Sequence, residues 1–256
     1  GMQHDSNASI APLRSSEASL VDALRYEQAR ATRDELKAQP EPAQLQSIVE
    51  KANGFAQASA HKHRNPADPA VACKAGCNWC CHQSVRILPP EAFRIVRFID
   101  AMADDERERV VRRLRASAEA LQSLAPQARR DSRKACAFLE EGRCAIYPVR
   151  PLACAGFTSY KEQDCRRGGR IGFEGSGVKQ EKATVLAYYA VQHGLADGLR
   201  EAVPAADTSW LELTAAIVEA MAVADAPSRW MAGHAVFHRA RLSTQADGES
   251  HPEAGV

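Results

Sequence analysis

The stretch Cys73–His82, CKAGCNWCCH, places four of the chain's eight cysteines within ten residues, two of them adjacent. Short spacings of this kind let one loop or one helical turn aim several sulfurs at a single point, because side chains three and four apart are neighbours on a helix. Thiolate is a soft ligand that selects zinc, copper(I) or iron–sulfur clusters over hard cations. Chance crowding of four thiols is a poor explanation, since each one risks oxidation. The other four are spread over a second block, Cys136-x7-Cys144-x9-Cys154-x10-Cys165, whose long spacings suit ligands brought in by separate loops.

Outside these blocks the pattern is helical. Leu20, Leu24 and Leu36 mark a charged helix from Leu20 to Lys37, which the prolines at Pro40 and Pro42 end. A second helix fits Ala43–His61, and the proline-rich RNPADPA (Arg64–Ala70) links it to the cysteine cluster. Ser84–Leu88 reads as a short extended piece. Pro90 suits the first turn of the next helix, where Phe93, Val96, Ile99 and Met102 recur about one turn apart. Asp104 is the expected N-cap of a further helix. The segment Cys136–Cys165 reads as irregular, and Arg166–Gly177, RRGGRIGFEGSG, as a loop. Three last helical runs are expected over Lys179–Arg200, Ser209–Ala224 and Ser228–Arg241. No run alternates as a strand, and no internal repeat is present. The expected class is all-α, a helical domain with two Cys-rich irregular segments forming a metal centre. The expected division is a disordered tail over 1–16, N-terminal helices over 17–66, a Cys-rich metal-chelating domain over 67–175, C-terminal helices over 176–243 and a disordered tail over 244–256.

The 256 residues carry 33 basic against 32 acidic side chains, a balance with no general pull toward nucleic acid or membrane. Gly1 ahead of Met2 reads as a remnant of tag removal. No secretory leader or apolar run of membrane-spanning length is seen, so a cytoplasmic location is expected, where thiols stay reduced. Eight cysteines in such a chain point to metal or redox chemistry instead of a disulfide frame.

Structural zinc sites usually pair two CxxC knuckles, and the second block has none. Three close sulfurs with a distant fourth lean toward an iron–sulfur cluster, with mononuclear zinc or iron close behind. CKAGCNWC also fits the CxxxCx-aromatic-C pattern of radical S-adenosylmethionine enzymes, with Trp79 at the aromatic position. The alternating strands and helices of that family are not seen after Cys81. A dithiol at Cys80–Cys81 ranks last, because adjacent cysteines form strained disulfides.

Read together, the two blocks resemble the CxxCxxCC (YkgJ-type) family of zinc- or iron-chelating domains. The resemblance is carried by the cluster ending in Cys80-Cys81, then Cys136-x-x-Leu139, Gly142-x-Cys144-x-Ile146-Tyr147 and Arg150-Pro151-x-x-Cys154, with Phe157–Cys165 as trailing segment. It covers about Cys73 to Cys165. One departure is CxxxC between Cys73 and Cys77 where the family has CxxC, which leaves Cys73 the weakest ligand candidate of the first block. The resemblance implies cysteine-bound metal, with zinc, iron or an iron–sulfur cluster all open. The similarity of this module to flagellin lysine methylases implies an alternative, an iron–sulfur enzyme acting in redox or group transfer such as protein lysine methylation.

Cys77, Cys80, Cys81, Cys144 and Cys154 are the leading ligand candidates, followed by Cys73, Cys136 and Cys165. Arg150 is the candidate to offset their negative charge, against a plain structural ion pair. Pro148 and Pro151 stiffen the chain between Cys144 and Cys154. Trp79 and Tyr147 either shelter the centre or are simply core. His82 is expected to be exposed and uninvolved, and His61 and His63 to lie at a helix end. His234 and His238 would share one helical face, a metal-capable spacing that lacks a nearby acidic motif. The expected partner is a metal ion or cluster, with any protein partner left open.

Overall fold

The computed structural model describes residues 13–74, 76–82, 84–171 and 178–242. The expected terminal tails therefore lie mostly outside the described residues, as does 172–177. The protein is mostly helical. Helix α1 (Ser15–Ala38), α2 (Pro42–His63) and α8 (Lys182–Ala202) form one layer. Between them come α3 (Pro89–Asp100), α4 (Asp104–Gln122) and the short α5 (Pro126–Arg130), α6 (Leu152–Ala155) and α7 (Glu162–Ile171). After α8, α9 (Leu213–Met221) and α10 (Ala226–Met231) complete the described chain.

Helix α8 is buried on nearly every side, consistent with a run such as Val185–Val191 that has apolar or aromatic residues on all faces. Its satellite core with α1 and α2 consists of Val21, Leu24, Ala60, Leu186, Ala187, Tyr189 and Ala190. The guanidinium of Arg25 donates to both carboxylate oxygens of Asp197, at 2.6 and 3.1 Å. The larger core runs from α2 through α3 and α9 and includes Ile48, Ile95, Ile99, Leu114, Leu195 and Ile217. The Phe93 ring sits 5.8 Å from Trp230 and 5.7 Å from Phe237, which fastens α3 to the C-terminal segment.

Two antiparallel pairs of two-residue strands interrupt the helices. β1 (Arg86–Ile87) pairs with β4 (Leu211–Glu212) in the register Arg86↔Glu212 and Ile87↔Leu211. β2 (Leu139–Glu140) pairs with β3 (Arg143–Cys144) in the register Leu139↔Cys144 and Glu140↔Arg143. Their turn holds Glu141 and Gly142 at φ 50 and 77°, the combination of a two-residue hairpin.

Several expected boundaries are corrected. The segment Arg166–Ile171 is helix, not loop, because α7 carries it. Glu162 and Asp164 favour its first turn, and Arg167 pairs with Asp164 at 3.0 Å. The glycines there serve packing: a Cβ on Gly169 would lie 3.2 Å from the Trp79 carbonyl. The run expected over Ser209–Ala224 starts later, since Leu211 and Glu212 are taken by β4 and the Glu212 carboxylate caps α9 through the Thr214 and Ala215 N–H groups. Asp104 is not the cap of α4; Ala103 occupies that position. The run expected over Ser228–Arg241 stops at Met231. Gly233 adopts φ 90°, its N–H bonds to the Trp230 carbonyl at 3.0 Å, and the His234 N–H bonds to the Arg229 carbonyl at 2.9 Å. That is the paired closure of a Schellman stop. His234 and His238 consequently share no helical face.

Candidate metal centre

The first cysteine block is a loop ending in a 3-10 turn, Trp79–His82. It is held from three sides. The Ala72 N–H donates to the Ser159 carbonyl at 2.7 Å, and the Ser159 N–H points back to Cys73 Sγ at 3.1 Å. The Asn78 side-chain amide donates to the Gly142 carbonyl at 3.2 Å, tying the loop to the β2–β3 turn. The Cys136 N–H donates to the Cys81 carbonyl at 2.7 Å, so the two blocks, distant in sequence, share a main-chain hydrogen bond.

The second block reaches the same place on three supports. Cys136 precedes β2, and Cys144 ends β3, opposite Leu139. Cys154 lies on α6, whose Leu152 N–H donates to Glu91 Oε1 at 2.9 Å. Glu91 is only 2% exposed, and its other oxygen accepts the Leu88 N–H at 2.8 Å. One buried carboxylate thus joins the start of α3 to the helix that carries Cys154. Burial outweighs the two N–H donors and raises its pKa to about 7. Cys165 lies on α7, buried, with its thiol hydrogen-bonded to the Ser159 side chain.

The eight thiols are all free of disulfides. The Cys80 sulfur acts electrostatically on each of the other seven: Cys73, Cys77, Cys81, Cys136, Cys144, Cys154 and Cys165. Its interaction with the adjacent Cys81 thiol lowers the pKa of Cys80 and raises that of Cys81. Burial raises the others, Cys136 to about 12 and Cys165 to about 11. Main-chain donors work in the opposite direction. Cys77, Cys136 and Cys144 each accept the N–H of the residue two positions on, from Trp79, Phe138 and Ile146. Such donors stabilise a sulfur that carries negative charge. Among the described residues, no group of three or more His, Cys, Asp or Glu side chains is placed to hold a metal ion.

Arg150 is half-buried, its guanidinium 4.2 Å from the centre of the Tyr147 ring. Its charge favours the thiolate forms of Cys73, Cys80, Cys144 and Cys154. Tyr147 is 40% exposed, so it is a platform for Arg150 and not core. Trp79 is half-buried beneath the Arg166 guanidinium, 5.1 Å from the ring centre. His82 is half-buried, not exposed as expected, with Nδ1 3.4 Å from the Trp79 carbonyl oxygen. His61 and His63 are exposed at the end of α2. Sequence reading passed over Glu91 and Ser159. Glu91 had a signal, an acid three residues after the last extended residue before a helix. Ser159 had none, because its role depends on two cysteines far from it in sequence.

The arrangement defines a class: a helical protein in which eight uncrosslinked cysteines are gathered on loops, a hairpin and short helices. Residues 72–170 match the CxxCxxCC family, described as "putative zinc- or iron-chelating domain", and the matched segment contains all eight cysteines. No curated protein and no solved structure matches the chain. No helix among the described residues is long and apolar enough to cross a membrane.

By residue type the cysteines suit zinc or iron, although among the described residues no three of them are placed to hold an ion. They offer sulfur alone, in numbers that exceed one tetrahedral site, with main-chain N–H groups and a guanidinium directed toward the negative charge that thiolates bring.

Proposed function

We propose that the protein binds zinc or iron through the thiolates of Cys73, Cys77, Cys80, Cys81, Cys136, Cys144, Cys154 and Cys165, with Arg150 offsetting part of their charge. The observation that carries this reading is the main-chain hydrogen bond from the Cys136 N–H to the Cys81 carbonyl at 2.7 Å, which brings the two separated cysteine blocks together. A bound metal supplies the positive charge that keeps clustered, half-buried sulfurs ionised, which burial alone opposes. Glu91 and Ser159 hold Cys154 and Cys73 in place from outside the sulfur set. The role is metal binding for structure, storage or sensing, in the cytoplasm. The all-sulfur donor set is compatible with an iron–sulfur cluster as well as with single ions.

Anaerobic purification followed by elemental analysis and ultraviolet–visible absorption tests this. Zinc or iron should copurify in stoichiometric amount, and Cys80→Ala should lower that amount in a protein that still folds. A wild-type protein isolated without metal, unable to take up either ion, and with eight titratable thiols would refute the reading.

A further inference from the structure

We infer that the cysteine-rich segment carries a docking face for single-stranded nucleic acid, built from Lys74, Arg143, Tyr147, Lys161 and Arg166 around the turn at Trp79. The face is a surface feature and does not rest on the metal-binding reading.

The near-neutral total conceals a division of charge. Residues 72–170 hold 19 basic against 12 acidic side chains, whereas the rest of the chain holds 14 against 20. One segment is thus net +7 and the remainder net −6. A single-sign excess of this size within a balanced chain points to a partner of the opposite sign. Part of the excess is already spent inside the fold. On α4, Arg107 pairs with Asp104, Arg112 with Glu108, and Arg109 and Arg113 both with Glu140.

The unspent charge gathers around the Trp79 turn. The Asn78 amide donates to the Gly142 carbonyl, which seats the hairpin tip and the exposed Arg143 beside that turn. Arg143 lies across from Glu140, but that carboxylate is taken by α4, and Arg143 has no ion-pair partner among the described residues. On the other side of the turn, the Arg166 guanidinium lies 5.1 Å from the Trp79 ring centre. The Ala72–Ser159 main-chain bond brings two further exposed cations, Lys74 and Lys161, into the same neighbourhood. Of the nearby acids, Glu162 and Asp164 pair with Arg166 and Arg167, and Glu141 is exposed at the hairpin tip.

Aromatic surface decides the kind of partner. Tyr147 is exposed, with the Arg150 guanidinium 4.2 Å from its ring centre, and Trp79 is half-buried beneath Arg166. Unpaired bases stack on aromatic rings and on guanidinium planes, while their phosphates pair with surrounding lysine and arginine. An acidic peptide would use the charge and leave the exposed ring without a role.

The test titrates the full chain into a fluorescein-labelled single-stranded RNA of mixed sequence, about 12 nucleotides long, and follows anisotropy. Binding should saturate and weaken with salt at a log–log slope of about −3, as four phosphate contacts at roughly 0.7 each require. Arg143→Gln with Arg166→Gln should halve the slope and weaken binding by about 10-fold or more. The same loss of two charges at the exposed Arg30 and Lys37 of α1, as Arg30→Gln with Lys37→Gln, should change neither. Tyr147→Ala should weaken binding by about 5-fold or more at an unchanged slope, the mark of lost stacking. Circular dichroism checks that each variant is folded, and the wild-type salt slope needs no variant at all. Absence of binding by the wild type, equal losses from the two double variants, or wild-type affinity in Tyr147→Ala would overturn the proposal. So would a polyglutamate peptide that displaces the RNA with equal affinity, which would assign the face to an acidic protein.

Discussion

The main-chain N–H of Cys136 is hydrogen-bonded to the carbonyl of Cys81 at 2.7 Å. This contact sets the relative position of the two cysteine blocks before any side chain is considered. It acts together with the Asn78–Gly142 bond and the Ala72–Ser159 bond, so the first block is fixed to the hairpin on one side and to the segment before α7 on the other. The two blocks are therefore brought together by backbone geometry.

Replacing Arg150 should weaken metal retention. Its charge favours thiolate at four cysteines, so Arg150→Gln is expected to lower zinc affinity by about 10-fold or more, in the range seen when groups supporting metal ligands are removed. Arg150→Lys should recover part of the loss. Competition against a chelator measures both, and equal affinities for wild type and Arg150→Gln would count against the assigned role.

Glu91 should make stability depend on pH between about 4.5 and 7. Its folded pKa, about 7, is raised above the ordinary carboxylate value by burial. The stabilisation is therefore complete below about 4.5 and is lost as pH rises through 7, a change of roughly 3 kcal/mol. Glu91→Gln should be less stable at pH 5, because an amide supplies one acceptor oxygen where the carboxyl accepts from Leu88 and Leu152. It should also lack that pH slope. Urea unfolding of both proteins at pH 5 and 8 gives the comparison.

His193 acts with the opposite sign. It is 6% exposed, lies 4.3 Å from the Tyr189 ring centre and 5.4 Å from that of Trp210, and its pKa falls to about 3 because of burial, with Arg25 and Arg86 adding to the effect. A folded pKa below the ordinary 6.5 means stability is lost as pH falls through that window, since unfolding releases a ring that can take up a proton. Lowering pH from 6.5 to 4.5 should remove about 2 kcal/mol of stability through His193, against an opposite contribution from Glu91. The difference between wild type and His193→Gln, followed by thermal unfolding across that range, should narrow by the same amount; a constant difference would show that the ring does not titrate with unfolding.

Gly233→Ala should destabilise the C-terminal segment. The residue is at φ 90°, and an added Cβ would sit 2.9 Å from the Ala205 carbonyl oxygen. The expected loss is about 1–2 kcal/mol. A fall in the urea midpoint without a change in slope is the expected signature.

The long helices were legible because their signals are local. Phe93, Val96 and Ile99 recur at helical spacing, and Pro40 and Pro42 separate α1 from α2 whatever lies around them. The cysteine blocks were legible for a related reason: crowding and order are properties of the chain itself. The sequence did not show that Arg166–Ile171 is helical, because its glycines argue for a loop until the Trp79 turn is packed against them. Nor did it show that Ser228–Arg241 divides at Gly233, since helical periodicity continues past a stop made by main-chain bonds.

By itself the sequence determined the helical class and the crowding and order of the eight cysteines in two blocks. Tertiary structure alone decided which cysteines neighbour one another, that Ser159 joins Cys73 to Cys165, and that Glu91 anchors the helix bearing Cys154. Residue type and spacing act over one or two turns of chain, whereas these contacts link segments that meet only after the helices have packed.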